Sequence, residues 1–446
     1  MSKGADAVRQ LNKYCVTLLL AVLLLAGCSM RTVEDMYTPP KRSAEYEDLQ
    51  RAIDEAMEGL EYAPALNGEN RQSVQMADLD GDGTDEYLLF SRDTSESPLK
   101  ILIFTRDESG CKLQHTIPCA GSAFDTIDYV NLDGTGGMEL VVGRQISNLI
   151  LRTASVYTFD SVEAKRLMSV NYSRILATDL NLDGKQDLLV IASGESDADN
   201  AIATLFSYED GTMRRSVEAE LSATSDRIKR IMVSQLNNHV PAVFVASNVN
   251  DHAIITDVFA VKDGKFSNVS FSNESGTSVR TLRNYYVYAD DIDDDGILEL
   301  PDLIDMVPVK NTWRGSNQQM IRWYAMDIMG KEEDRMYTFH NFDSGWYLQL
   351  NGQIAPRISV VQQDGGSVFY LWDEAFQNTE ILMTIDVMTG AGNAALEENG
   401  YYELYRAEDV IYTVKLEAAA AKLGLTAQLL SDQFHLIQWD WKNGET

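Results

Sequence analysis

The sequence predicts a mainly β fold, a four-stranded antiparallel unit repeated along most of the chain, with a small α+β domain at the end. Two observations predict it. A short loop returns five times, starting at residues 78, 131, 179, 235 and 291, each time between two apolar runs and acidic in all but the fourth copy. Each spacing of about 50 residues also holds a third run with aromatics (Leu102-Ile-Phe104, Val156-Tyr-Thr-Phe159, Leu205-Phe-Ser-Tyr208, Val258-Phe-Ala-Val261, Trp323-Tyr324), then a turn such as Asp210-Gly211 or Asp263-Gly264, then a fourth run. Asp-Gly suits a tight hairpin because glycine takes positive φ at no steric cost. Units of this size cannot bury both faces alone and must stack on their neighbours.

The elements follow in order. Residues 1–27 read as a secretory signal: Lys3, Arg9 and Lys13 come first, then the apolar run Val16–Leu25, then Leu25-Ala26-Gly27-Cys28. The ending resembles the lipobox of bacterial lipoproteins, which implies lipidation at Cys28 and an extracytoplasmic anchor in the cell membrane. Residues 28–43, with Pro39-Pro40, read as a tether. Over 44–61, Tyr46, Leu49, Ile53, Met57 and Leu60 recur at helical spacing and predict an amphipathic helix that packs on the next domain. The repeats occupy 68–343. Their first strands are expected at Ser73–Ala77, Ile127–Val130, Arg174–Thr178, Ile231–Ser234 and Tyr285–Ala289. Residues 345–446 show no acidic loop and are expected to form the α+β domain.

The loops carry the recognisable chemistry. Three are intact: Asp78-Leu-Asp80-Gly-Asp82-Gly-Thr84-Asp-Glu86, Asp179-Leu-Asn181-Leu-Asp183-Gly-Lys185-Gln-Asp187 and Asp291-Ile-Asp293-Asp-Asp295-Gly-Ile297-Leu-Glu299. Oxygen side chains stand at positions 1, 3, 5 and 9, glycine at 6, and the carbonyl of Thr84, Lys185 or Ile297 serves at 7. A tight turn that aims alternate oxygens inward suits Ca²⁺, which takes about 6–8 oxygens at roughly 2.3–2.6 Å. The expectation is about three structural Ca²⁺ sites. The second loop, with Asn131, Asp133, Thr135 and Glu139, is expected to be weaker. The fourth, Gln235-Leu-Asn237-Asn-His239, keeps the spacing without the charge and is expected to bind none.

Loop and period together resemble the FG-GAP/VCBS repeats of integrin-type β-propellers, where such a loop joins the first two strands of a blade and binds Ca²⁺. The resemblance covers residues 68–343 and implies a propeller with five recognisable blades. Family propellers usually have seven.

Composition narrows the function. A formal net charge of −31 disfavours nucleic acid as a partner. The five histidines, at 115, 239, 252, 340 and 435, have no metal-ligand spacing, and no nucleophile motif or phosphate-cradling glycine loop is present. Cys111 and Cys119 are too far apart along one strand for a disulfide and are expected to be free thiols. Trp313, in a polar loop, is the candidate ligand contact. The expected function is a lipid-anchored, calcium-stabilised cell-surface binding or scaffolding protein that meets a protein or glycan and catalyses nothing. The rival is a surface glycan lyase or hydrolase built on the same propeller.

Overall fold

The structure is a computed structural model. It describes residues 44–437 apart from 109, 147–150, 161–162, 197, 251–252, 285–286, 310–317, 364–365 and 390–399. The signal segment, Cys28, the tether and Trp313 therefore lie outside the described residues.

Among the described residues the chain is mainly β, in six antiparallel sheets of four or five strands. The second and fourth are simple meanders. The second runs Ala123–Val130, Glu139–Gln145, Arg152–Phe159, Ala164–Tyr172, and the fourth Ile228–Leu236, Val240–Asn250, Ala253–Lys262, Lys265–Asn268. The first and third add one two-residue strand each, Glu61–Tyr62 and Ala219–Glu220.

Sheets pack on their neighbours in chain order, because alternate residues of a strand point to opposite faces. In the first sheet Leu88, Phe90, Ile101 and Ile103 meet Phe124, Ile127, Leu140 and Val142 of the second. Val130, Val141 and Val156 of the second meet Leu188 and Val190 of the third. Leu189 and Leu205 then meet Val243 and Phe259 of the fourth, whose Phe244 and Val258 meet Leu300 and Tyr324 of the fifth. Trp346 and Phe339 of the fifth pack on Val360 and Phe369 of the sixth. The outer face of the first sheet, Leu89, Leu102 and Phe104, is covered by helix Ala44–Ala56 through Ile53, with Leu49 and Met57 alongside. Of the stripe read from the sequence, Leu49, Ile53, Met57 and Leu60 pack on this sheet and Tyr46 is exposed; the helix ends at Ala56, short of the expected 61, and Glu61–Tyr62 is a strand.

Two expectations change at the C-terminal side. The boundary at 343–345 falls within the fifth sheet. Trp346–Leu350 pairs with Glu332–Asn341, and Phe434–Leu436 returns from near the chain end to pair with Trp346–Leu350. The rest of the expected α+β domain is a sixth antiparallel sheet (Ile358–Gln363, Gly366–Trp372, Thr379–Thr389, Val410–Leu416, Tyr401–Arg406) with short helices Ala418–Lys422 and Ala427–Asp432. The structure thus has one blade-sized sheet more than the loops mark. In addition, no strand forms at Val287–Ala289, the described part of the run expected at Tyr285–Ala289. A single bridge, Asp290 to Glu299, brackets the fifth loop instead.

Cys111 and Cys119 sit at opposite ends of strand Gly110–Cys119 and are free.

A candidate metal centre in a row of loops

Each of the first three loops starts one residue after a closing strand pair: Ala77 with Glu86, Val130 with Glu139, Thr178 with Asp187. The Asp290–Glu299 bridge closes the fifth in the same way. Position 9 therefore lies at the base of every such loop, and burial follows. Glu86, Glu139, Asp187 and Glu299 are all buried, Glu299 completely. One oxygen of each acid accepts the position-2 amide: Leu79 N donates to Glu86 Oε2 at 2.9 Å, Leu132 N to Glu139 Oε2 at 2.8 Å and Ile292 N to Glu299 Oε2 at 3.1 Å. The Leu180 amide does the same for Asp187. Position 2 is itself a buried apolar anchor in all five loops: Leu79, Leu132, Leu180, Leu236 and Ile292.

The backbone then curls. Position 4 takes positive φ in every loop: Gly81 at 77°, Gly134 at 77°, Leu182 at 59°, Asn238 at 64° and Asp294 at 60°. Position 6 does so only in the three intact loops, at Gly83 (86°), Gly184 (84°) and Gly296 (84°). This second left-handed residue needs glycine, and it turns the position-1 carboxylate into the loop. Asp78 accepts from Gly81 N (2.7 Å) and Gly83 N (3.0 Å), Asp179 from Gly184 N (3.0 Å), and Asp291 from Asp295 N and Gly296 N (both 2.9 Å). The position-5 acids Asp82, Asp183 and Asp295 accept the position-7 amides of Thr84, Lys185 and Ile297.

Carboxylates thereby converge. Oxygens of Asp78, Asp80 and Glu86 lie within 4.8 Å of one another, as do those of Asp291, Asp293 and Asp295. In the third loop Asn181 replaces one carboxylate, and its amide donates to Asp183 Oδ2 at 3.2 Å. Buried oxygens are left over: Glu299 Oε1, Asp187 Oδ2 and Asp179 Oδ1 have no hydrogen-bond partner. Burial pushes the Glu299 carboxyl up to about 8, with Asp293, Asp295 and Asp291 adding to the rise against the Ile292 amide. Burial, with Asp183 and Asp179, pushes Asp187 up to about 6 despite hydrogen bonds from Ser207 and Leu180. Burial also raises Glu86, with the charges of Asp80, Asp82 and Asp78 adding. Like charges gathered around buried, unpartnered oxygens cost free energy unless a cation joins them. The donor set fits Ca²⁺, since oxygen atoms line it throughout.

The remaining loops differ. In the second, Asn131 Nδ2 donates to Thr135 O at 2.6 Å, which places a hydrogen-bond donor between two expected ligands. Gly136 there lacks the positive φ of its counterparts, and the stem of Lys185 lies against Gly134. In the fourth, the ladder slips by one residue and continues to Leu236–Val240, which leaves a turn of Asn237–His239. Asn237 contacts Arg335 and Glu333 of the fifth sheet. Arg335 also offsets part of the rise of Asp293, which burial and Asp295 produce. A guanidinium thus stands beside the loop without acids.

Adjacent loops are joined. Met138 N donates to Asp78 O (3.0 Å), Gln186 N to Asn131 O (3.0 Å) and Leu298 N to Gln235 O (3.2 Å). In each case position 8 of one loop donates to position 1 of the preceding loop. The loops form a row along one edge of the stacked sheets, so an ion held in one loop would brace two sheets.

No protein-family model matches this chain, and no curated protein does. Solved structures do. A protein from Lactobacillus plantarum is 12% identical, with 72% of this chain and 86% of that one covered and a TM-score of 0.29. The rhamnogalacturonan lyase YesW is 11% identical over 72% and 83%, with a TM-score of 0.29. A rhamnogalacturonan lyase from Bacillus licheniformis is 13% identical over 72% of each chain, with a TM-score of 0.27. Likeness at this level transfers no activity or site.

One feature of the loops was open to sequence reasoning and goes beyond the oxygen spacing: the invariant apolar residue at position 2, which pins each loop to the core. The links between loops have no side-chain signature.

Proposed function

We propose that the protein is a Ca²⁺-stabilised binding or scaffolding protein of FG-GAP/VCBS propeller type, held by a lipid on Cys28 at the extracytoplasmic face of a bacterial membrane. The observation that carries the metal reading is the buried carboxylate oxygen without a partner at the base of an intact loop, Glu299 Oε1 above all. A solvated acidic hairpin would leave such an oxygen in water. The first loop would hold an ion through Asp78, Asp80, Asp82, Glu86 and the Thr84 carbonyl. The third would use Asp179, Asn181, Asp183, Asp187 and the Lys185 carbonyl, and the fifth Asp291, Asp293, Asp295, Glu299 and the Ile297 carbonyl. Ions so enclosed brace the stack and have little coordination to spare for a substrate. The binding role rests on the broad rigid surface that stacked sheets offer a protein or glycan.

Thermal unfolding tests the metal reading. Millimolar Ca²⁺ raises the melting temperature relative to excess chelator, because the ion binds the folded chain alone. Identical melting curves in the two conditions would refute it.

A further inference from the structure

The edge opposite the loops carries a different chemistry. A cavity of about 300 Å³ opens between the second and third sheets, where strand Arg152–Phe159 begins, Ala164–Tyr172 ends and Arg174–Thr178 begins. Arg152 and Arg174 both line it, in a chain with 68 acidic and 37 basic residues. Asp125 is the buried acid behind them, and its capacity is taken. Its Oδ1 accepts from Asn67 Nδ2 (2.8 Å) and Gln145 Nε2 (3.4 Å), and its Oδ2 from the Tyr172 hydroxyl (2.6 Å) with Arg152 Nε at 3.4 Å. Arg174 is half-buried and donates to the Ser173 carbonyl at 2.9 Å. Arg152 pairs with that carboxylate, and Arg174 feels its charge through space. Burial and the neighbouring charge of Arg152 both disfavour the cation of Arg174, against the pull of Asp125.

The rest of the wall is neutral and hydroxyl-rich. Ser193 Oγ lies 2.8 Å from Ser225 Oγ and 3.4 Å from Ser173 Oγ, forming a short chain of groups that both donate and accept. Asp226, beside Ser225, adds one acceptor at the rim, where it receives the Thr224 hydroxyl.

We infer that this cavity binds the carboxylate and hydroxyls of a sugar acid, with Arg174 taking the carboxylate and the Ser173–Ser193–Ser225 row taking ring hydroxyls. A guanidinium fork matches a carboxylate in two parallel hydrogen bonds. Asp226 disfavours a dianion such as phosphate and gives a sugar hydroxyl an acceptor. The volume is at the small end of the roughly 300–1,000 Å³ range of ligand cavities and suits a single sugar unit. The inference gives the binding reading a ligand class and a location away from the metal loops.

Saturation-transfer NMR on the Ca²⁺-saturated full chain tests it, with glucuronate, glucose, acetate and inorganic phosphate as separate probes. Glucuronate should saturate with a Kd of about 1 mM, as its size allows, and the other three should bind at least about tenfold more weakly. Arg174→Gln should weaken glucuronate binding by about tenfold or more, and Arg174→Lys by less, since it keeps the charge without the fork. A retained Ca²⁺ shift in melting temperature shows that both variants fold. Glucuronate binding no tighter than glucose, phosphate preferred over glucuronate, or Arg174→Gln binding as the parent does would each overturn the inference. If those results come with an intact Ca²⁺ shift, only the sugar-acid site falls. A missing Ca²⁺ shift with uronate binding preserved removes the metal reading and leaves the cavity.

Discussion

Glu299→Gln is expected to stabilise the protein without Ca²⁺ and to lose that advantage with Ca²⁺. Glu299 is fully buried, and its carboxyl is raised by burial from 4.5 to about 8. In the metal-free chain this carboxyl opposes folding once the unfolded state can ionise. Below about pH 4.5 both folded and unfolded states hold the proton. As pH rises, the unfolded chain releases it first, so stability falls until the folded carboxyl also titrates near 8. At pH 7 the gap of about 2.5 units, at about 1.36 kcal/mol each, makes a penalty of roughly 3 kcal/mol. Glutamine cannot ionise, and its carbonyl can still accept the Ile292 amide. The variant should therefore gain up to about 3 kcal/mol in chelator at pH 7, and the gain should vanish near pH 4. With Ca²⁺ that advantage disappears. A site occupied at about 100 times its Kd contributes roughly 2.7 kcal/mol, and the fifth loop loses most of that without its buried acid. The assay is urea unfolding followed by tryptophan fluorescence, with and without Ca²⁺, at pH 4 and pH 7. The reasoning fails if Glu299→Gln lowers stability equally in chelator and in Ca²⁺, which would make Glu299 a packing residue.

Other expectations use the same loops. Asp183→Ala should shrink the Ca²⁺-dependent rise in melting temperature, whereas Asn237→Ala should leave that rise intact while costing about 1–2 kcal/mol through its lost contacts to Arg335 and Glu333. Gly184→Ala should cost about 1 kcal/mol and weaken Ca²⁺ binding, because the site is open but φ is +84°; an unchanged Ca²⁺ titration would show that the left-handed turn does not shape the site. Cys28→Ser should release the protein from the membrane fraction, and retention after a high-salt wash would exclude a lipid anchor.

The loops were legible because cation ligation constrains side-chain identity at fixed spacing. The oxygens at 1, 3, 5 and 9 and the glycine at 6 are required by the turn itself, and Gly83, Gly184 and Gly296 behave alike. Position 4 was not legible: Leu182, Asn238 and Asp294 take positive φ without being glycine, because the hydrogen bonds and anchors around them decide the conformation. Residues 358–416 read as part of a mixed domain because a blade without a metal loop has nothing to mark its first turn. The pairing of Phe434–Leu436 with Trp346–Leu350 joins segments far apart in the chain, and local patterning carries no register for such a pair. In a closed ring the last blade would lie against the outer face of the first sheet, and among the described residues helix Ala44–Ala56 packs on that face. The two arginines of the opposite edge sit at strand starts in different repeats, so no spacing links them.

Ca²⁺ stoichiometry is the most direct test of the central claim. Isothermal titration of the chelator-stripped chain, checked by metal analysis after dialysis against Ca²⁺, should give three ions per chain, one each for the loops beginning at Asp78, Asp179 and Asp291. Glu299→Gln should reduce that to two. A chain that binds no Ca²⁺, or whose bound ions survive unchanged when Asp78, Asp183 and Glu299 are neutralised together, would contradict the account.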